Sequence, residues 1–173
     1  MNTSKLDLAL RAGIGVLLVA LVLVIVGRFQ ADHITDVGDT VPQFSVTTDQ
    51  GHTITPTSFG GRVLVLNFWA TWCAPCVEEV PSLSEFQKRM AASGVVVVGV
   101  SVDKNPRLYS QFLKRFDPSF QTVRDPTEAI ANSFGTYKYP ETYVIDRNGK
   151  VVQKVIGSRN WMDPDNISSF QSL

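Results

Sequence analysis

The chain's two cysteines, Cys73 and Cys76, stand with two residues between them in Trp72-Cys73-Ala74-Pro75-Cys76. Thiolates are strong nucleophiles and metal ligands, so such a pair suits either dithiol–disulfide exchange or metal binding. A closed zinc site needs four ligands. One Cys pair supplies two, and the only histidines, His33 and His52, stand far from it in sequence. A single pair also excludes a disulfide-stapled scaffold. Exchange is the favoured chemistry: one sulfur attacks a target disulfide and the other resolves the mixed disulfide.

The elements on either side decide which sulfur does which. Val63 to Phe68 is a nearly continuous run of β-formers, as expected of a strand buried on both faces. From Ala74 to Met90 the apolar residues Cys76, Val80, Leu83, Phe86 and Met90 recur at three and four, which predicts a helix with one buried face. Cys73 then caps that helix, where free first-turn amides and the positive end of the dipole favour its thiolate. Cys76, at the third helical position, points inward as the resolving thiol. Pro75 is tolerated because first-turn amides lack helical partners, whereas Pro81 predicts a kink.

Around this core the chain reads as strand, helix, strand, helix, hairpin and helix. Gln43 to Val46 and His52 to Ile54 flank the turn Thr48-Asp49-Gln50-Gly51. Val95 to Val100 is a second apolar strand. Asn105-Pro106 opens a helix whose stripe is Leu108, Tyr109, Phe112, Leu113 and Phe116. A shorter helix is expected near Glu128 to Phe134. Thr142 to Asp146 and Val151 to Ile156 flank Arg147-Asn148-Gly149-Lys150, a hairpin signal. Asp163-Pro164 can cap a closing helix that ends near Leu173. The expected fold class is α/β, a mixed central sheet flanked by helices, in one domain over residues 41–173.

The amino-terminal end differs in kind. Ala12 to Gly27 is an unbroken run of small or aliphatic residues between Arg11 and Arg28, about 24 Å long as a helix. With Lys5 and Arg11 on its amino side, an uncleaved transmembrane signal anchor over 1–28 is expected, with the body on the extracytoplasmic side. A cleavable signal is disfavoured because no A-x-A-like site follows the run: Phe29-Gln30-Ala31 has a large residue where a small one is wanted. Residues 29–40 read as a tether. The whole chain balances 16 Lys and Arg against 16 Asp and Glu, which excludes a nucleic-acid binder with a basic excess.

Val63-Leu-Val-Leu-Asn-Phe-Trp-Ala-Thr-Trp-Cys-Ala-Pro-Cys76, followed by Glu79, Pro81 and Leu83, resembles membrane-anchored thioredoxin-like proteins of the TlpA/ResA and cytochrome c maturation type. The likeness runs from Val41-Pro-Gln-Phe44 through Tyr139-Pro-Glu-Thr-Tyr-Val-Ile-Asp146 to Ile156. It implies a thioredoxin fold with an amino-terminal β-hairpin extension, acting as an extracytoplasmic reductase with no organic cofactor or metal. Its partners would be disulfide-containing exported proteins, such as apocytochrome c at its haem-attachment cysteines, and a membrane dithiol donor.

The resemblance also assigns residues. Cytosolic thioredoxins carry a buried Asp where this chain has Asn67, which cannot titrate. Glu79 matches the family's active-site glutamate and is the candidate proton acceptor for Cys76; neighbouring Glu78 is expected to face solvent. Tyr139-Pro140 matches the family's cis-proline, and Trp72, Tyr137, Tyr139 and Glu141 are candidate groove-lining residues. Trp69 and Trp161 are expected to pack in the core. Three other functions stay open: a disulfide-forming oxidase, a peroxiredoxin-like thiol peroxidase and a copper-handling protein. The peroxidase's P-x-x-x-T-x-x-C motif is missing, since Leu66 stands where its Pro would be. The copper binder would want C-x-x-x-C and a nearby His.

Overall fold

The computed structural model describes residues 3–31, 34–56, 61–170 and 173. His33 and Gly60 lie outside them, as do the side chains of Lys5 and Arg28. The chain divides into two units, residues 1–33 and 34–173.

The first unit is one helix, α1 (Thr3–Ala31). Its described side chains, Arg11 to Ile25, are all exposed. Among the described residues no helix is long and apolar enough to cross a membrane.

The second unit holds β1 (Val46–Thr47), β2 (Thr53–Ile54), β3 (Val63–Trp69), α2 (Ala74–Met90), β4 (Val95–Ser101), α3 (Pro106–Phe116), β5 (Gln121–Arg124), α4 (Ala129–Ser133), β6 (Glu141–Ile145), β7 (Val151–Ile156) and α5 (Pro164–Phe170). β1 and β2 form a separate antiparallel hairpin; the main sheet has the order β5-β4-β3-β6-β7. β3 lies at its centre, parallel to β4 and antiparallel to β6, with all seven residues buried. That position explains its nearly continuous apolar sequence, broken only by Asn67, and puts Ala70 to Cys73, the turn that follows it, over the middle of the sheet. α2 runs unbroken through Pro81. Gly99 on β4 admits close packing there: a Cβ would lie 2.9 Å from both the Phe120 ring and the Trp69 indole nitrogen.

Three expectations need correction. β5 was not foreseen: four residues with Gln and Arg at the ends give almost no periodic signal, and only its parallel pairing with β4 defines it. The tether is not a free linker over 29–40. Helix α1 continues to Ala31, and from Thr35 onward the chain is bonded to the domain. The Thr35 amide donates to the Phe134 carbonyl at 2.9 Å, the Gly38 amide to Val151 at 2.8 Å, and the Val151 amide to Asp39 at 2.9 Å. Finally, Leu108 of the expected α3 stripe is 49% exposed, whereas Tyr109 and Phe112 are buried.

Candidate active site

Cys73 is the N-cap of α2, and its sulfur accepts a hydrogen bond from the Cys76 amide at 3.3 Å. The two sulfurs are joined in a disulfide. Cys76 is 1% exposed and Cys73 7%, so the edge open to a partner is the Cys73 side. Trp72 beside it is 66% exposed and meets the Tyr139 ring edge-on at 5.9 Å.

The turn before Cys73 is held from below. Asp103, 1% exposed just past the end of β4, accepts from the Thr71 amide at 2.9 Å, the Thr71 hydroxyl at 2.6 Å and the Ser101 hydroxyl at 2.6 Å. These bonds fix the chain two residues upstream of the first cysteine.

One helical turn beyond Cys76, Glu79 lies on the buried face of α2 and is 3% exposed, while Glu78 is exposed. A lone buried carboxylate is costly, and three donors offset that cost. Asn67 Nδ2 donates to Oε1 at 2.8 Å; the Arg159 amide and the Trp161 indole donate to Oε2 at 3.2 and 3.3 Å. Burial pushes the Glu79 pKa up; the three bonds and the Arg159 charge oppose the shift without cancelling it. Asn67 also donates to the Thr142 hydroxyl at 2.9 Å, its partner across the β3–β6 register. The Ser82 hydroxyl ties the Trp161 loop to α2, accepting from the Trp161 amide at 3.2 Å and donating to the Glu79 carbonyl at 2.9 Å.

The remaining sequence candidates separate. The Tyr139–Pro140 bond is cis, and the Pro140 carbonyl accepts from the Gly157 amide at 2.9 Å. Burial and the nearby Glu128 carboxylate push the Tyr139 hydroxyl up to about 12, so it stays a neutral donor. Tyr137 is 68% exposed. Glu141 is not groove-lining: it is 4% exposed and paired with the Lys154 ammonium at 3.3 Å, because its place at the head of β6 turns it into the sheet. Trp69 and Trp161 are buried, but Trp161 also touches Glu79. Thr142, Arg159, Trp161 and Asp103 were missed as site residues. The pairing of β3 with β6 brings Thr142 to Asn67, and the return of the 158–161 loop brings Arg159 and Trp161 to Glu79. Among the described residues no cluster of three or more His, Cys, Asp or Glu side chains could hold a metal ion.

Residues 37–154 match the model of the AhpC/TSA family. The chain is 31% identical over 133 residues to the thiol-disulfide oxidoreductase ResA of Bacillus cereus, covering 77% of each chain. It is 34% identical over 122 residues to the ResA of Geobacillus kaustophilus, covering 70% of each. A solved thiol:disulfide interchange protein of the thioredoxin family from Chlorobium tepidum superposes with a TM-score of 0.67 at 28% identity, covering 78% of this chain and 96% of that one. StoA of Bacillus subtilis, 22% identical, has the same fold with a TM-score of 0.66.

Proposed function

The chain belongs to the AhpC/TSA family, among the ResA-like thiol–disulfide oxidoreductases, and from that membership we propose that it reduces disulfides of exported proteins from a membrane anchor. One observation carries the chemistry: a Cys73–Cys76 disulfide caps a helix that also presents a buried, donor-held Glu79 on the face of Cys76. The extracytoplasmic side is supported by the apolar run 12–27 and its flanking charges.

In the reduced protein the Cys73 thiolate attacks one sulfur of the target disulfide. A mixed disulfide forms, and the other target sulfur leaves as a thiolate that takes a proton from solvent. Glu79 accepts the Cys76 proton. The Cys76 thiolate then attacks Cys73 sulfur, and the second target sulfur departs and is protonated. Two electrons have passed to the target, and the protein is left in the disulfide state of this structure. A membrane dithiol must return those electrons, since this chain has one Cys pair. Trp72, in ring contact with Tyr139 beside Cys73, would contact the target together with the adjoining Pro140. The haem-attachment cysteines of apocytochrome c are the substrate this reading favours.

The test is to trap the partner. Cys76→Ala should accumulate a mixed disulfide through Cys73 with an exported cysteine protein, released by added dithiol, while Cys73→Ser accumulates none. Equal trapping by both variants would overturn the division of roles. The anchor is tested separately: full-length protein should stay with membranes through a high-salt wash with its amino terminus intact.

A further inference from the structure

A second surface beside the dithiol has no role in the chemistry above. Between the active-site turn and α3 lies a groove of about 440 Å³ lined by Trp72, Val77, Leu108, Phe112, Arg115 and Phe116. Most of it is apolar, and two of its walls are open to solvent: Trp72 at 66% and Leu108 at 49% exposure. A helix that buries Tyr109 and Phe112 yet leaves the adjacent Leu108 out is covering less apolar surface than its sequence offers.

Two features identify what fits there. The first is position. Trp72 directly precedes Cys73, so any polypeptide whose disulfide sulfur reaches Cys73 must pass over or beside this indole. Tyr139 meets the indole edge-on, and the indole also lines the groove. The second is charge. Pro106–Phe116 contains Arg107, Lys114 and Arg115 and no acidic residue. The Arg115 guanidinium lies 5.4 Å over the Phe116 ring, and no ion pair is formed by Arg115 among the described residues. Opposite charge on an incoming chain would be steered toward this edge.

Resting on the dithiol-reductase reading, we propose that this groove binds the polypeptide flanking the target disulfide, seating one apolar side chain between Trp72 and Leu108 with acidic residues against Arg115. The surface thereby selects among disulfides that Cys73 could otherwise attack alike.

The test compares two synthetic peptides sharing one disulfide ring. One is flanked by Phe and a pair of Asp, the other by Ser and a pair of Lys; hydroxyethyl disulfide, which has no flanks, is the reference. Reduced full-length protein in detergent should prefer the Phe/Asp peptide. Leu108→Gln combined with Arg115→Glu should reduce that preference roughly ten-fold, through KM rather than kcat, from one lost apolar contact and one reversed charge. Arg89→Glu, exposed on α2 about 20 Å beyond Cys76, makes the same charge change and should keep the preference. Equal rates for the two peptides, or a preference untouched by the double variant, would overturn the proposal. So would a double variant that changes only the oligomeric state, which would make the groove a contact between copies. No reduction of hydroxyethyl disulfide by the unmodified protein would sink the reductase reading and the groove proposal with it.

Discussion

Glu79 and Asp103 are carboxylates buried to within a few per cent on two sides of the same dithiol, and each accepts three hydrogen bonds. The bonds differ in kind. Asp103 takes two hydroxyls at 2.6 Å and one amide at 2.9 Å, all from its own strand end or the turn it anchors. Glu79 takes an Asn side-chain amide at 2.8 Å, and a backbone amide and an indole at 3.2 and 3.3 Å. Hydroxyls can rotate to serve as donors or acceptors, so Asp103's neighbours tolerate exchange of its oxygen for an amide nitrogen. The indole and the backbone N–H only donate. Around Glu79 the partners therefore reward an anion, while burial penalises it. That tension keeps the Glu79 pKa above its ordinary value and lets the group take up and release a proton. Two equally buried carboxylates are thus divided between holding a turn and moving a proton.

Alanine at position 103 should give the largest effect. It leaves Thr71 N–H and two hydroxyls facing an empty space, at a cost of about 3 kcal/mol in unfolding free energy. Urea denaturation of the oxidised protein measures it. Asp103→Asn should recover more than half of the loss, since the rotating hydroxyls accept from the new amide. Equal losses for Ala and Asn would mean that the charge, not the fork geometry, holds the turn.

Position 79 should behave the other way. Glu79→Gln should leave the fold intact but slow disulfide reduction roughly ten-fold or more at neutral pH, within the range for loss of a general base. Glu78→Gln, on the exposed side of the same helix, should stay near the unmodified rate. A Glu79→Gln rate matching Glu78→Gln would hand the Cys76 proton to water and dissolve the contrast with Asp103.

Much of this was legible in the sequence wherever local pattern governs structure. The bounds of α2, the cap role of Cys73 and the hairpin of β6 and β7 follow from periodicity, capping and turn residues, which act over a few positions. Glu79 was identified by resemblance, and its place on the buried face of α2 follows from its i, i+3 spacing from Cys76. What could not be read is what surrounds it. In the sequence Asn67 stands out only as a residue that does not titrate, yet its amide is the shortest bond Glu79 receives. Thr142 and Trp161 lie 75 and 82 residues away along the chain from the groups they meet. Asp103 followed an apolar strand like any polar residue at a strand end, and nothing local tied it to Thr71. Glu141 failed for the same reason, since only the β7 partner Lys154 shows that it turns inward.

Asn67 offers a smaller effect with a definite sign. Its amide lowers the Glu79 pKa against the upward push of burial. Asn67→Ala removes that donor, so the carboxylate should be harder to ionise, and the acid limb of the pH–rate profile should move to higher pH. A downward movement, or none, would show that Asn67 supports Thr142 and the sheet rather than the carboxylate.

The smallest expected effect is thermodynamic. A carboxylate whose pKa is raised on folding binds its proton more tightly in the native state than in the unfolded chain. Its contribution to stability is fully present below the ordinary value of 4.5 and is lost as pH climbs through the raised native value. Stability of the oxidised protein should therefore carry a falling component above pH 4.5, with a slope no steeper than about 1.4 kcal/mol per pH unit for one proton. Glu79→Gln cannot titrate, so subtracting its curve from that of the unmodified protein isolates the component. The difference should favour the unmodified protein at the acid end and shift toward the variant as pH rises. Denaturant titrations across that window measure both curves. A flat difference would mean that the three donors balance burial completely, and the role of Glu79 as acceptor of the Cys76 proton would lose its thermodynamic support.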